Sequence, residues 1–520
     1  MDKETKALFS FTFVALSHKN PIRKLIGHTA VYGVGTILGR IFNYLLTPLY
    51  TGIFSEETFG EYSVAYAYIA ILLVLLTYGM ETALFHFASR TKDKALAFST
   101  GLLSILATTS IFWIFIYYYQ FDIAVWLRQP DKTQFVIWLG LIIGLDALTA
   151  LPMAWLRLAE RPFRFSLITL SNIAVNIGLN VFFLVYCRQE FIQSNGHPNA
   201  LVKMVYNPEI GVGYIFIANL AASFIKALAC MPVMANIRPR FDPKLWLDMV
   251  RYAFPLLLAG LGFIINERLD VLLLEYFLPL EPELARHEIG VYSACYKLAI
   301  LMTIFIQAYR YAAEPFFFSL TQASDARKVY AKVMNFFTAF CAFIFLLVCL
   351  YLDIFKYFLR GEGYWEGLSV VPVLMLGNLF LGIYINLSMW YKLSGQTWYG
   401  AVFSVIGAAL TIGLNIALIP YFGYHGSAWT TFFAYGAMMV ISYLTGQKHY
   451  PIPYQVTKNV FYIALAVGLF ALSLLLPSQI LWWVLLLRTA LLIPFLYVVW
   501  WLEPDLRHAF FRLKKKKWKS

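Results

Sequence analysis

Charge is scarce in this chain. Only 13% of its 520 residues are Asp, Glu, Lys or Arg, while 60% are hydrophobic; a soluble domain carries ~25% charge. Mean hydropathy is +0.67. A water-soluble fold of this make-up could not cover its apolar surface, so the three or four soluble domains ordinarily expected at this length are excluded. Cysteine is also rare. Cys187, Cys230, Cys295, Cys341 and Cys349 all fall in or at the ends of apolar runs. Without metal-ligand spacing or external pairing, they read as small core residues. No His/Cys/Asp cluster has metal-ligand spacing, no nucleophile elbow occurs, and no Gly-x-x-x-x-Gly-Lys-Ser/Thr loop is present. These absences argue against metal-dependent catalysis, an activated serine and ATP hydrolysis within the chain. No cofactor is expected, and the chain does not read as an enzyme.

Long apolar runs are what the sequence has. A membrane helix needs ~20 mainly apolar residues, because each rises ~1.5 Å through a core ~30 Å thick. Residues 62–80, 95–121, 165–187, 333–352 and 367–391 contain no charged side chain. Neither does 393–447, long enough for two spans and interrupted by the turn signal Pro420-Tyr421-Phe422-Gly423. The stretch 459–502 is broken at Pro477-Ser478-Gln479 and again reads as two spans. Five more apolar stretches carry internal charges: 25–52, 134–156, 210–235, 252–277 and 288–318. The expectation is an all-α polytopic membrane protein of 14 transmembrane helices. The runs are far too long for barrel strands of ~10 residues.

Orientation follows from Lys and Arg in the loops. With the N-terminus cytoplasmic, the cytoplasmic segments hold 28 basic residues and the external loops 7. Both ends are therefore expected in the cytoplasm. The net charge of +13 is then a topology signal and gives no reason to expect nucleic acid. The run Leu8–Leu16 has the length of a signal-peptide core, but its flank Met1-Asp2-Lys3-Glu4-Thr5-Lys6 has no net positive side-chain charge. An interfacial helix within 1–24 is the reading taken. The tail Lys514-Lys515-Lys516-Lys517-Trp518-Lys519 suits anionic lipid headgroups, or serves simply as a solubilising end.

The chain also repeats itself. Trp155-Leu156-Arg157-Leu158 recurs as Trp390-Tyr391-Lys392-Leu393, and Ile177–Asn180 recurs as Ile412–Asn415, both at an offset of 235. Gly60-Glu61-Tyr62-Ser63 matches Gly290-Val291-Tyr292-Ser293 at an offset of 230. The repeat unit is six helices, giving an N-lobe over 25–235, a linker over 236–250 and a C-lobe over 251–446. Two further helices over 458–502 and a basic tail over 503–520 follow. An even number of spans inserts both copies in one orientation, related by a pseudo-two-fold along the membrane normal. Two such lobes leave a cleft, and rocking about it gives alternating access. A static bundle is the competing reading.

Ionisable groups inside spans are expensive and usually face a cavity or a partner. The basic ones are Arg40, Lys226, Arg268, Lys297, Arg310 and Arg488; the acidic ones are Glu81, Asp146, Glu267, Asp270, Glu275 and Glu314. Nine of these twelve sit in the first two spans of each lobe. At 100° per residue Thr303, Gln307, Arg310 and Glu314 form one stripe, and Arg268 and Glu275 share a direction. Asn43 follows Arg40, and His86 lies near the end of the second span. Paired ions holding the lobes together would explain these charges, residue by residue. As a cluster they describe a hydrated cationic cavity. Arg40, Arg268, Lys297 and Arg310 suit a phosphate or pyrophosphate. Asn43, Glu81, His86, Glu267, Asp270, Glu275, Gln307 and Glu314 are candidates for its polar wall or for ion coupling.

Gly39-Arg40-Ile41-Phe42-Asn43-Tyr44-Leu45-Leu46, then Pro48-Leu49-Tyr50-Thr51 and Phe59-Gly60-Glu61-Tyr62, resembles the opening of bacterial polysaccharide-transporter (Wzx-like) flippases of the MATE/MOP superfamily. So do Leu156-Arg157 with Glu160-Arg161-Pro162-Phe163, and Gln307-Ala308, Arg310 and Glu314-Pro315-Phe316. The resemblance covers roughly residues 25–446. It implies movement of an undecaprenyl-pyrophosphate-linked oligosaccharide from inner to outer leaflet of the bacterial cytoplasmic membrane, as a precursor of O-antigen, lipopolysaccharide or capsule. It also implies a cationic cavity at Arg40, Arg268 and Arg310, and a glycan polymerase or other assembly-pathway proteins as partners. An inside-negative potential favours outward movement of the pyrophosphate, and H⁺ or Na⁺ coupling stays open. Rival readings are a lipid II flippase or multidrug exporter of the same superfamily. A membrane glycosyltransferase or polysaccharide polymerase is the rival of another class. The longest external loop, roughly 188–209, is short for a catalytic domain.

Overall fold

The computed structural model describes residues 38–90, 93–319, 325–477 and 482–504. The interfacial helix expected within 1–24 and the basic residues from 505 onward lie outside these. Every regular element among the described residues is helical. Among the described residues, eleven helices are long and apolar enough to cross a membrane.

The first lobe begins with α1 (38–45, continued by Thr47–Thr51). Next come α2 (Glu56–Thr77), α3 (Met80–Arg90) and α4 (Lys94–Trp126). It ends with α5 (Thr133–Leu158), α6 (Pro162–Val181) and α7 (Gly213–Ala235). Ser55 caps α2 by accepting from the Thr58 N–H, and Glu56 and Glu57 complement the helix dipole in its first turn. Tyr78 and Gly79 both have positive φ, which separates α2 from α3.

The second lobe holds α8 (Pro243–Phe277), α9 (Pro282–Ser319), α10 (Ala326–Leu350), α11 (Val370–Leu387) and α12 (Trp398–His449). α12 has 52 residues, which as a straight rod would run ~78 Å. It breaks at Gly423, with φ 57° and ψ −140°. Across the break Ser427 Oγ donates to Asn415 Oδ1 at 2.7 Å. Twelve residues of straight helix would hold these ~18 Å apart, so the two arms fold back on one another. α13 (Val456–Ser473) and α14 (Trp482–Leu502) pack on α10. Arg488 of α14 fixes them with a 2.6 Å ion pair to Asp353.

α8 belongs to both lobes. It starts at Pro243, inside the stretch read as a linker, with Asp242 as its cap. There Trp246 donates to Ser104 Oγ of α4 at 2.7 Å. Its second half packs into the other lobe against α12: Asn266 accepts from Thr411 at 2.8 Å, and its backbone carbonyl takes Tyr435 OH at 3.0 Å.

The lobes meet along α2 and α9. Gly60 and Gly290, equivalent residues of the sequence repeat, lie at the crossing. A Cβ on Gly60 would stand 2.0 Å from the Arg286 carbonyl oxygen, and one on Gly290 1.8 Å from that of Glu56. Only glycine allows this approach. Charges reinforce it. Arg286 of α9 pairs with Glu61 of α2 at 3.6 Å and with Glu275 of α8 at 3.3 Å, all three being buried. Lys132 holds Glu61 at 2.6 Å, and Arg286 also donates to the Leu127 and Arg128 carbonyls. This end of the molecule is sealed.

Replacing Gly290 with Val should force the crossing helices apart, at a cost of ~1–3 kcal/mol of overpacking. Thermal unfolding in detergent checks this, with Gly178→Ala as the control, because a Cβ at Gly178 meets nothing within 4 Å.

Candidate functional site

Below the seal the lobes line a cavity that communicates with solvent and holds about 1630 Å³ of empty space, part of it open. α1 contributes Arg40, Asn43, Tyr44 and Tyr50; α2 contributes Tyr62 and Tyr66; α6 and α7 contribute Asn172, Asn176 and Asn219. From the second lobe come Glu267 and Arg268 of α8, and Tyr296, Lys297, Thr303, Gln307 and Arg310 of α9. Asn378 of α11 and Tyr435 of α12 complete the polar lining. An extension of about 950 Å³ shares Arg268, Lys297 and Glu267 and reaches Asp270 and Tyr292.

The structure thus brings Arg40, Arg268, Lys297 and Arg310 to one space, with Asn43, Glu267 and Gln307 beside them. Arg40 of the first lobe lies within electrostatic reach of Glu267, Arg310 and Arg268 of the second. Glu267 is 3.8 Å from Arg268, so one carboxylate stands among four cations. The excess positive charge is what a doubly or triply charged anion would neutralise. Asp270 faces the extension with both oxygens occupied, by Tyr292 OH at 2.6 Å and the Val271 N–H at 2.9 Å.

Glu81, His86, Glu275 and Glu314 are not among the lining residues. Glu275 belongs to the seal. Glu81 pairs with Arg157 at 2.6 Å, and Glu314 pairs with Lys392 at 2.5 Å. Arg157 and Lys392 are equivalent in the sequence repeat, and Glu81 and Glu314 are 233 positions apart, so each lobe carries a copy of one ion pair. The stripe Thr303, Gln307, Arg310, Glu314 has the correct azimuth, but its last member sits one turn beyond the cavity. His86 stacks on Tyr252 of α8, ring centroids 4.1 Å apart. Lys226 and Asp146 pair within the first lobe at 3.2 Å.

A search for ionisable side chains passes over the uncharged part of the wall. Asn172, Asn176 and Asn180 recur every fourth residue of α6, a polar stripe legible in the sequence. The seal was hidden differently, because Arg286 and Glu61 read as loop and helix-end charges.

Residues 25–194 match the family model described as "Polysaccharide biosynthesis protein". A comparison with curated protein sequences finds no match. Among solved structures, the chain is similar to the lipid II flippase MurJ in its inward closed conformation. The TM-score is 0.63 at 14% identity, over 90% of this chain and 98% of that one. It is similar to an inward-facing multidrug resistance MATE family transporter of the MOP superfamily, with TM-score 0.58 at 13% identity over 79% and 94% of the two chains. An outward-facing MATE transporter gives 0.55 at 13% identity, over 83% and 96%. At these identities the shared property is the fold.

The ion pairs differ in burial, and so should their contributions. Removing Arg286 leaves Glu61 and Glu275 buried without their shared partner, a loss on the order of 3 kcal/mol. Arg157 and Glu81 are 37% and 39% exposed, which limits that pair to under ~1 kcal/mol. Unfolding of Arg286→Gln and Arg157→Gln in detergent should therefore separate clearly. Equal losses would show that the seal does not depend on Arg286.

Proposed function

We propose that this protein, which has a MOP-superfamily fold and matches the polysaccharide biosynthesis family over residues 25–194, is a flippase for an undecaprenyl-pyrophosphate-linked oligosaccharide. It moves the headgroup from the inner to the outer leaflet of the bacterial cytoplasmic membrane. The observation that carries the reading is the grouping of Arg40, Arg268, Lys297 and Arg310 around one cavity between two lobes. Arginine forks match phosphate oxygens in pairs.

The seal at Gly60 and Gly290 closes the external side, and the cavity opens toward the cytoplasm, where a lipid-linked precursor is made. The cations attract the pyrophosphate, which neutralises their mutual repulsion. The lobes then rock, the Arg286 network parts, and the duplicated pairs at the cytoplasmic ends draw together. An inside-negative potential favours outward movement of each negative charge by ~2.3 kcal/mol per 100 mV. No covalent bond is made or broken, and no ATP is needed.

Arg268→Gln and Arg310→Gln should each insert at the normal level yet abolish flipping, so that lipid-linked glycan accumulates in the inner leaflet. Mass analysis of the accumulated lipid identifies the glycan and separates an O-antigen or capsule precursor from lipid II. Normal flipping by both variants would overturn the proposal. Unchanged lipid-linked pools with loss of polymer length would point to a polymerase instead.

A further inference from the structure

The two walls of the cavity differ in chemistry. Apart from Arg40, the N-lobe wall carries amides and phenols: Asn172 and Asn176 of α6, Asn219 of α7, and Tyr62 and Tyr66 of α2. The opposite wall has amides and phenols of its own, Gln307, Asn378, Tyr296 and Tyr435, but it adds the cations Arg268, Lys297 and Arg310, and Arg40 reaches across to them.

The internal repeat shows which of these amides the fold itself requires. Asn180 and Asn415 are equivalent, and both are fully buried. Asn180 accepts from Tyr50 OH at 3.0 Å, and Asn415 accepts from Ser427. This asparagine is a structural element of each lobe. One and two turns earlier, however, the copies part company. Asn176 and Asn172 of the first lobe correspond to Thr411 and Gly407 of the second. Thr411 is tied to Asn266 at 2.8 Å. A side chain at Gly407 would meet the Met438 sulfur at 2.4 Å. The C-lobe fills these positions with packing, whereas the N-lobe places carboxamides there, facing open space. Asn180 Nδ2 donates to Asn176 Oδ1 at 3.1 Å, and Asn219 Nδ2 donates to Tyr66 OH at 2.9 Å. Among the described residues, this leaves the Asn176 amino group, the Asn219 carbonyl oxygen and the whole Asn172 amide for a ligand.

A carboxamide both donates and accepts, as does a sugar hydroxyl or an N-acetyl group. A few such groups placed in a concave site with aromatic rings fix a ligand's orientation. We propose that Asn172, Asn176 and Asn219, with Tyr62 and Tyr66, form the glycan subsite of the cavity. The headgroup then lies across the cleft, with pyrophosphate against the C-lobe cations and its first sugars against the N-lobe wall. This rests on the flippase reading above and adds the direction in which the substrate lies. It also assigns the glycan preference to α6 and α7, in place of the charged helices.

The test uses the full-length protein in detergent and two probes, undecaprenyl pyrophosphate and undecaprenyl-pyrophosphoryl-N-acetylglucosamine. The quantity measured is the ratio of their affinities. Wild type should prefer the sugar-bearing lipid, and Asn172→Leu/Asn176→Leu should reduce that preference about tenfold, or ~1.4 kcal/mol. Arg268→Gln should weaken both probes together and preserve the ratio. Asn172→Leu alone breaks no hydrogen bond among the described residues. It should lower the ratio about threefold, which keeps the test valid if the double variant folds poorly. A wild-type ratio of one, or a ratio untouched in both asparagine variants, overturns the glycan subsite and leaves the flippase reading standing. Binding of neither probe by wild type overturns the flippase reading itself.

Discussion

The arrangement depends on one close contact: two helix backbones touching where Gly60 and Gly290 cross. No side chain fits between them. The contact sets the separation of the lobes at the sealed end, and through it the width of the cavity farther along. It also explains the buried charges beside it. Helices this close leave no room for water, so Glu61 and Glu275 must find a cation within the protein, and Arg286 serves both. The seal is therefore rigid through packing and specific through charge. Neither part would hold alone: glycines at a crossing give proximity without register, and ion pairs without close packing would be hydrated.

The duplication makes the two ends of the molecule comparable. At the sealed end, charges pair across the lobes. At the open end the equivalent pairs, Glu81 with Arg157 and Glu314 with Lys392, are made within each lobe. Neither pair ties one lobe to the other, so a change in lobe separation there would leave no charge unpaired. This economy suits a molecule whose apolar exterior offers lipid and whose interior offers water.

Much of this was legible in the sequence. The long uncharged runs, the turn at Gly423 and the repeat motifs all correspond to elements of the fold. The cluster of Arg and Lys in the leading helices of each lobe pointed to a common space. Other features were hidden for physical reasons. Helical phase gives the direction of a side chain and says nothing of depth, which is why Glu314 lay on the stripe yet past the cavity. A carboxylate in a span announces a cost without naming its partner, so Glu81 and Glu275 could not be told from cavity groups. Arg286 counted as a loop charge because its partners lie on three other segments. The asparagines of α6 were overlooked because they carry no charge, although their four-residue spacing was in plain view.

α8 gives the lobes a mechanical link. It is bonded to α4 at its start and buried against α12 at its end, so it cannot slide when the lobes move. Motion must be taken up as bending within the helix. Pro255 lies between the two anchored halves. Its ring nitrogen donates no hydrogen bond, and the carbonyl one turn earlier loses its partner. Gly260 follows with little side-chain bulk to resist flexure, before Gly262 seats the helix against the Ser404 backbone of α12. The helix therefore acts as a leaf spring clamped at both ends, with a soft middle. A tilt of one lobe against the other would bend that middle and meet a restoring force in either direction.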